Sequence, residues 1–192
     1  MARVQEFDTE EALHRAMGVF WHKGYEGTSL TDLLAATGLS KSSLYATFGG
    51  KRELFLTAYD AYRAERAGEM HNILEHGEAR QAIESFFRLI IGHAGRLEFS
   101  HGCMSVNQAV EMAPHDPEVR ERVEADFQLI EDALVKTIAR GQSDGTIGNH
   151  VSARRVARLL TVAFPGLQVM VRAGASSSRM RDALTLLFSN LK

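Results

Sequence analysis

The chain has 192 residues, 45% of them apolar, and a formal net charge of −2. That content supports one sizeable core plus a small module, and apolar runs never approach the ~18 residues of a membrane span. A single cysteine, Cys103, excludes an internal disulfide framework and fits a reducing compartment; with three prolines, no low-complexity tract and no charged-then-apolar leader, a soluble cytoplasmic protein is expected.

Phe7 and Asp8 open the first predicted helix, Asp8 and Glu11 forming a capping box and Phe7 stapling onto Ala12. Leu13, Ala16, Met17 and Phe20 keep helical spacing up to Gly24. A second helix starts at Ser29, with Asp32 completing its capping box, and carries Leu30, Leu33 and Leu34 on one face until Gly38 supplies a left-handed stop. Leu39 precedes Ser40, which caps a third helix while Leu39 staples onto Leu44. Leu44 and Phe48 bury one side of that helix, leaving Ser42, Ser43 and Ala46 on the other. Two short helices joined by a tight Gly-containing turn make a helix-turn-helix, a DNA-reading module. Residues 33–52 hold Lys41, Lys51 and Arg52 and no acid, so a local positive strip offsets the negative total.

A fourth helix begins after Gly49-Gly50 and runs to about Gly77, with Leu54, Phe55, Ala58 and Tyr62 inward. The fifth covers 79–98 and the sixth 104–112, stopping before Pro114 and Pro117. The seventh covers about 117–141 and ends near Gly141 and the turn region of Gly145 and Gly148. From Val156 to Val171 the apolar residues go almost all the way round, so this eighth helix must be covered on every side; Pro165 should kink or split it. A ninth presents Met180, Ala183, Leu184, Leu187, Phe188 and Leu191.

The second and third helices resemble the amino-terminal domain of the TetR family of transcriptional repressors. The match lies at Thr28, Gly38, Ser40, Leu44, Tyr45, Phe48, Lys51 and Leu54, with Leu34 and Leu39 as close substitutes, within a stretch from Phe7 to Phe55. The resemblance implies an all-α fold of about nine helices. Residues 1–50 would form a three-helix DNA-binding domain, and residues 51–192 an effector-binding and dimerisation domain. Lys41, Ser42, Ser43 and Ala46, flanked by Ser40 and Thr47, are the expected groove contacts; Tyr45, Lys51, Thr28 and Ser29 are the expected phosphate contacts. Small side chains make few bidentate base contacts, so DNA shape shares in specificity. Arg3 is either a minor-groove arm or a basic terminus.

The last two helices are expected to build a four-helix dimer seam, as in the resembled family, through Leu160, Ala163, Leu167, Met170, Leu184, Leu187 and Phe188; the alternative is that they complete a monomer core. Helical phase nominates Tyr62, Phe86, Phe87, Ile90, Cys103, Asn107, Phe127 and Phe164 as an effector pocket. The implied mechanism is a two-state linkage. A homodimer holds a palindromic operator, and a small molecule that prefers the other conformation releases it.

The run from Arg96 to Glu111 resembles a subgroup with Gly-Cys-x-x-x-Asn-x-x-x-Glu, here Gly102, Cys103, Asn107 and Glu111, whose members include electrophile- and oxidant-responsive repressors. Two readings of Cys103 stay open, a sensing thiolate at a helix amino terminus and a small buried hydrophobe. No phosphate loop, nucleophile elbow or metalloprotease helix is present, and Glu131 and Asp132 point to different faces, so no enzyme and no cofactor are expected. An all-helical ligand-binding enzyme without DNA is the rival class. Eight histidines, His101 beside Cys103 among them with His71, His76 and His93, lack metal-ligand spacing and predict no metal site.

Overall fold

A computed structural model describes residues 8–92 and 101–191, the side chain of Asn190 excepted. The Arg3 arm, the Phe7 staple, the end of the helix expected over 79–98, His93 and the Arg96–Ser100 stretch lie outside the described residues. The elements are α1 Thr9–Lys23, α2 Leu30–Thr37, α3 Lys41–Phe48, α4 Lys51–Glu75, α5 Ala79–Gly92, α6 Met104–Glu111, α7 Pro117–Asp144, α8 Ala153–Arg172 and α9 Ser177–Phe188, with a 3-10 turn at Ser189–Leu191. Among the described residues no helix is long and apolar enough to cross a membrane. The fold is all-α, as the sequence implies.

Short-range signals set most boundaries. Asp8 caps α1 through bonds from the Glu10 and Glu11 amides. Asp116 caps α7 in the same way, with Pro117 in the first turn, where its missing N–H is no loss. One boundary differs from the expectation. α7 runs past Gly141 to Asp144 and stops at Gly145, which takes the left-handed conformation. Gly141 is interior because a Cβ there would meet Ile147 Cδ1 at 2.7 Å and Ala79 Cβ at 2.8 Å. It allows close approach rather than a stop.

The chain divides into two compact units, one ending at Ala64 and one beginning at Glu65, so the division falls inside α4. In the first unit the core is aromatic: Phe20 meets the Phe55 ring edge-on at 5.2 Å, and Tyr25 meets the same ring at 5.0 Å. Leu33, Leu44, Leu54 and Tyr59 are fully buried. Each such side chain contributes roughly 1.5–3 kcal/mol on burial, before the entropy cost of ordering it. Tyr62, nominated for the effector pocket, packs its ring on Trp21 at 5.2 Å instead. It is a core residue of the first unit.

The second unit surrounds a cluster that includes Leu74, Ile83, Phe87, Leu134, Ile138, Leu160, Leu184 and Phe188. Glu131 on α7 accepts from Arg154 Nη1 at 3.3 Å and Arg158 Nε at 3.2 Å on α8. Its neighbour Asp132 accepts from Gln128 at 3.0 Å, so the two carboxylates do point apart. α8 continues as one helix through Pro165 rather than splitting.

The burial pattern of α8 and α9 divides the residues expected at the dimer seam. Leu160, Leu167, Leu184 and Phe188 lie in this protomer's own core, and Ala163, Met170 and Leu187 are only partly buried. The outward apolar side chains are Leu159, Val162 and Val169 on α8 and Leu186 on α9. α8 is amphipathic rather than apolar all round: its buried residues Val156, Ala157, Leu160, Phe164, Leu167 and Val171 recur at helical spacing, and Arg154, Arg155, Arg158 and Arg172 are exposed.

Candidate nucleic-acid interface

The reading head is built from caps. Ser29 Oγ accepts from the Asp32 amide at 3.1 Å, and Asp32 Oδ2 accepts from the Ser29 amide at 2.9 Å, closing the capping box. Asp32 Oδ1 also accepts from Lys23 Nζ at 2.6 Å, which ties the end of α1 to the start of α2. That hydrogen bond, together with those from Ser29, holds the Asp32 carboxyl well below the usual carboxylate range. At the other end, Gly38 takes φ 72° and its amide donates to Leu34 O at 3.0 Å. Thr37 Oγ1 donates to Leu33 O at 2.7 Å and accepts from the Leu39 amide at 3.3 Å, closing the turn between α2 and α3.

Ser40 then caps α3, its Oγ accepting from the Ser43 amide at 3.1 Å. The Ser42 and Ser43 hydroxyls lie 2.9 and 2.8 Å from Ser40 Oγ. Serine hydroxyls carry one donor and two lone pairs, so these contacts leave bonding capacity over. Leu44 is fully buried and locks the helix onto the core. Around it Lys41, Ser42, Ala46 and Thr47 are exposed, Tyr45 is 48% exposed, and Ser43 is half-buried. Nine of the ten residues expected at DNA therefore flank one capped helix or begin a neighbouring one. Lys51, first residue of α4, is half-buried with Nζ 4.3 Å from the centre of the Tyr25 ring. That cation–π contact steers the ammonium. Tyr25 was not singled out from the sequence; its only signal is an aromatic three residues before Thr28.

Thr28 is the exception. It is 1% exposed, its Oγ1 donates to Gly24 O at 2.6 Å, and its amide donates to Tyr25 O at 3.3 Å. With both donors used inside the turn that follows α1, it leaves the set of phosphate contacts.

Most of the nominated effector residues of the second unit are close neighbours in its buried cluster. Phe86 stacks on Phe164 at 5.8 Å between ring centres and meets Phe87 edge-on at 5.3 Å. Ile90 and Cys103 lie in the same buried cluster, with Phe127 packed against it. Asn107 Nδ2 donates to His101 O at 3.0 Å and so braces the approach to α6. Cys103 is the N-cap of α6, makes no capping bond with its side chain, and is 9% exposed. Among the described residues no group of three or more His, Cys, Asp or Glu is placed to hold a metal ion.

A capped helix-turn-helix with an acid-free exposed face, joined to a larger helical unit, defines a DNA-binding regulator. Known proteins agree. Residues 12–58 match the family described as bacterial regulatory proteins, tetR family, and residues 77–187 match the tetracyclin repressor-like C-terminal domain. The chain is 35% identical over 193 residues to the HTH-type transcriptional regulator YezE of Bacillus subtilis, each chain covered in full. It is 29% identical to the HTH-type transcriptional repressor ComR of Escherichia coli, over 93% of this chain and 86% of that one. Its fold superposes with a TM-score of 0.88, at 27% identity and full coverage of both chains, on a cysteine-substituted form of the TetR-family regulator CifR in complex with a 26-bp operator duplex. The chain belongs to the TetR family. It is a transcriptional repressor of that family and not an enzyme, and the family works as dimers that answer to small-molecule effectors.

Proposed function

We propose that this repressor acts in the cytoplasm, with residues 1–50 reading a palindromic operator and residues 51–192 carrying the effector and dimer functions. The first half of α4 is the scaffold on which the reading helices pack. The observation that carries this reading is the exposed face of α3: Lys41, Ser42, Ala46 and Thr47 point outward around a fully buried Leu44, with no acid from residue 33 to 52. Lys41 and the serines meet base edges, Ala46 offers a methyl contact, and Thr47 flanks them. Tyr45, Lys51 and the Ser29 end of α2 hold phosphates, which fixes register without reading sequence. Two copies are needed, because one half-site engages few basic groups.

The partner copy covers Leu159, Val162, Val169 and Leu186. Large apolar side chains grouped on two adjacent helices are uncovered in a lone protomer, and a second copy of the same face buries them isologously. Cys103 is a core residue in this reading. Its burial in the cluster with Phe86 and Phe164 keeps oxidants away from the sulfur. Release is a two-state linkage in which an effector binds the non-operator conformation more tightly. The test is selection of DNA retained by the purified full-length protein from a random pool, followed by sequencing. An inverted repeat with half-sites about one helical turn apart is expected. Recovery of sequences without two-fold symmetry overturns the reading.

A further inference from the structure

We propose that Tyr25 is a positioning residue for DNA binding: the turn after α1 fixes its ring, and the ring presets the Lys51 ammonium for an operator phosphate. This role rests on the reading of Lys51 as a phosphate contact and adds the part of the fold that makes the contact effective. All of its parts lie within the first unit. Lys51 is the first residue of α4, a helix of 25 residues, and its Nζ stands 4.3 Å from the centre of the Tyr25 ring. Among the described residues its side chain has no hydrogen bond and no ion pair, so the ring is what holds the ammonium.

The place of Lys51 in its helix makes such a hold necessary. The amino terminus of a helix carries the positive end of the macrodipole, which favours a phosphate and repels an ammonium on the same turn. A lysine stem is flexible, so an unsupported ammonium here swings into solvent and must be ordered when DNA arrives. The face of an aromatic ring carries negative potential, which offsets that repulsion. A contact with the ring engages one side of an ammonium that has three N–H donors, and leaves donors for a phosphate oxygen. Lys51 is only half-buried, so that free side stays within reach of DNA.

The ring itself is fixed from two sides. It meets Phe55 edge-on at 5.0 Å and stacks on Phe20 at 6.4 Å, and both of those side chains are fully buried. Phe55 follows Lys51 by one helical turn on the same face of α4, so a single ring spans the anchor and the ammonium. On the backbone side, Gly24 takes φ 77° and its amide donates to Phe20 O at 2.9 Å. Thr28 Oγ1 donates to Gly24 O and the Thr28 amide to Tyr25 O, which closes residues 24–28 on themselves. Gly27 completes the turn, because a Cβ there would meet Lys23 O at 2.5 Å. The buried Thr28 hydroxyl therefore serves DNA binding at two removes, through Tyr25 and then Lys51.

The test is a double-mutant cycle between Tyr25→Leu and Lys51→Ala in the full-length protein, with a labelled duplex of the selected operator. Affinity and its salt slope are read by fluorescence anisotropy, and folding by thermal denaturation. Tyr25→Leu should bind the operator about fivefold or more weakly, roughly twofold per half-site for a lysine that must now be ordered on binding. Its salt slope should stay at the wild-type value, because the same number of phosphates is neutralised. In the Lys51→Ala background Tyr25→Leu should have no further effect, and Tyr25→Phe, which keeps the ring, should bind within about twofold of wild type. An equal loss in both backgrounds makes Tyr25 a core residue only and overturns the positioning role, as does wild-type affinity in Tyr25→Leu. If Tyr25→Leu does not fold, phenylalanine is compared with ring-trifluorinated phenylalanine in place of Tyr25, which keeps the shape and removes the negative ring face. The fluorinated protein should bind about fivefold more weakly, and equal binding overturns the role. An unchanged salt slope in Lys51→Ala overturns instead the phosphate contact from which the role starts, whatever the Tyr25 variants do.

Discussion

Replacing Lys51 with alanine removes one phosphate-facing ammonium from each half-site of the dimer. Each phosphate neutralised on duplex DNA contributes about 0.9 to the slope of log K against log salt, so two lost contacts lower that slope by about 1.8. Between 50 and 200 mM salt the wild type should then lose about 12-fold more affinity than the variant, and at 0.15 M the variant should bind about 30-fold more weakly. Folding should survive, because the half-exposed ammonium over the Tyr25 ring contributes only about 0.5–1 kcal/mol. The loss should be the same for operator and unrelated duplexes, since a phosphate contact carries no sequence information. Anisotropy titrations of labelled duplexes across the salt series measure both quantities. An unchanged slope with reduced affinity would mean that Lys51 serves only to cover Tyr25, and the docking through the start of α4 would be wrong.

Val162→Glu, at a side chain 77% exposed in the protomer, should give monomers in sedimentation equilibrium and abolish operator binding while the helical content stays unchanged; a persisting dimer places the seam elsewhere. Asp32 has its carboxyl held below its ordinary value chiefly by the Lys23 hydrogen bond. A depressed folded-state value stabilises above the unfolded pKa of about 4 and is lost as pH falls through the folded one. Asp32→Asn should therefore lower Tm at pH 7, and its deficit should shrink as pH is taken well below 4; a deficit independent of pH assigns the effect to packing. Cys103→Ala should keep operator binding, and the wild-type thiol should react slowly with a disulfide reagent in the native state. Rapid native labelling, or oxidant-driven operator release that the variant lacks, would restore the sensing reading.

What could be read in advance depended on signals a few residues long. Asp8, Ser29 with Asp32, Gly38 and Ser40 each bond to, or bend, the chain within four residues of themselves, so the sequence alone placed the starts of α1, α2 and α3 and the end of α2. The spacing of Tyr45, Phe48, Lys51 and Leu54 made the family legible for the same reason. Longer-range questions were decided only by packing. Thr28 looks like any hydroxyl at a helix start until the turn after α1 places Gly24 O within 2.6 Å of it. Gly141 reads as a stop until Ile147 and Ala79 fold against it. Tyr62 and Phe86 share inward helical phase, yet one faces Trp21 and the other Phe164, because the division into units falls within α4. On α8, Leu160 and Val162 are equally apolar, and only the positions of α5 and α7 make the first a core residue and leave the second for another copy. The bonds from Thr137 to Leu74 O and from Arg140 to Glu75 O join α7 to the end of α4 across more than sixty positions, so no local pattern announces them. Periodicity assigns a residue to a face; which neighbour that face meets is a property of the assembled helices.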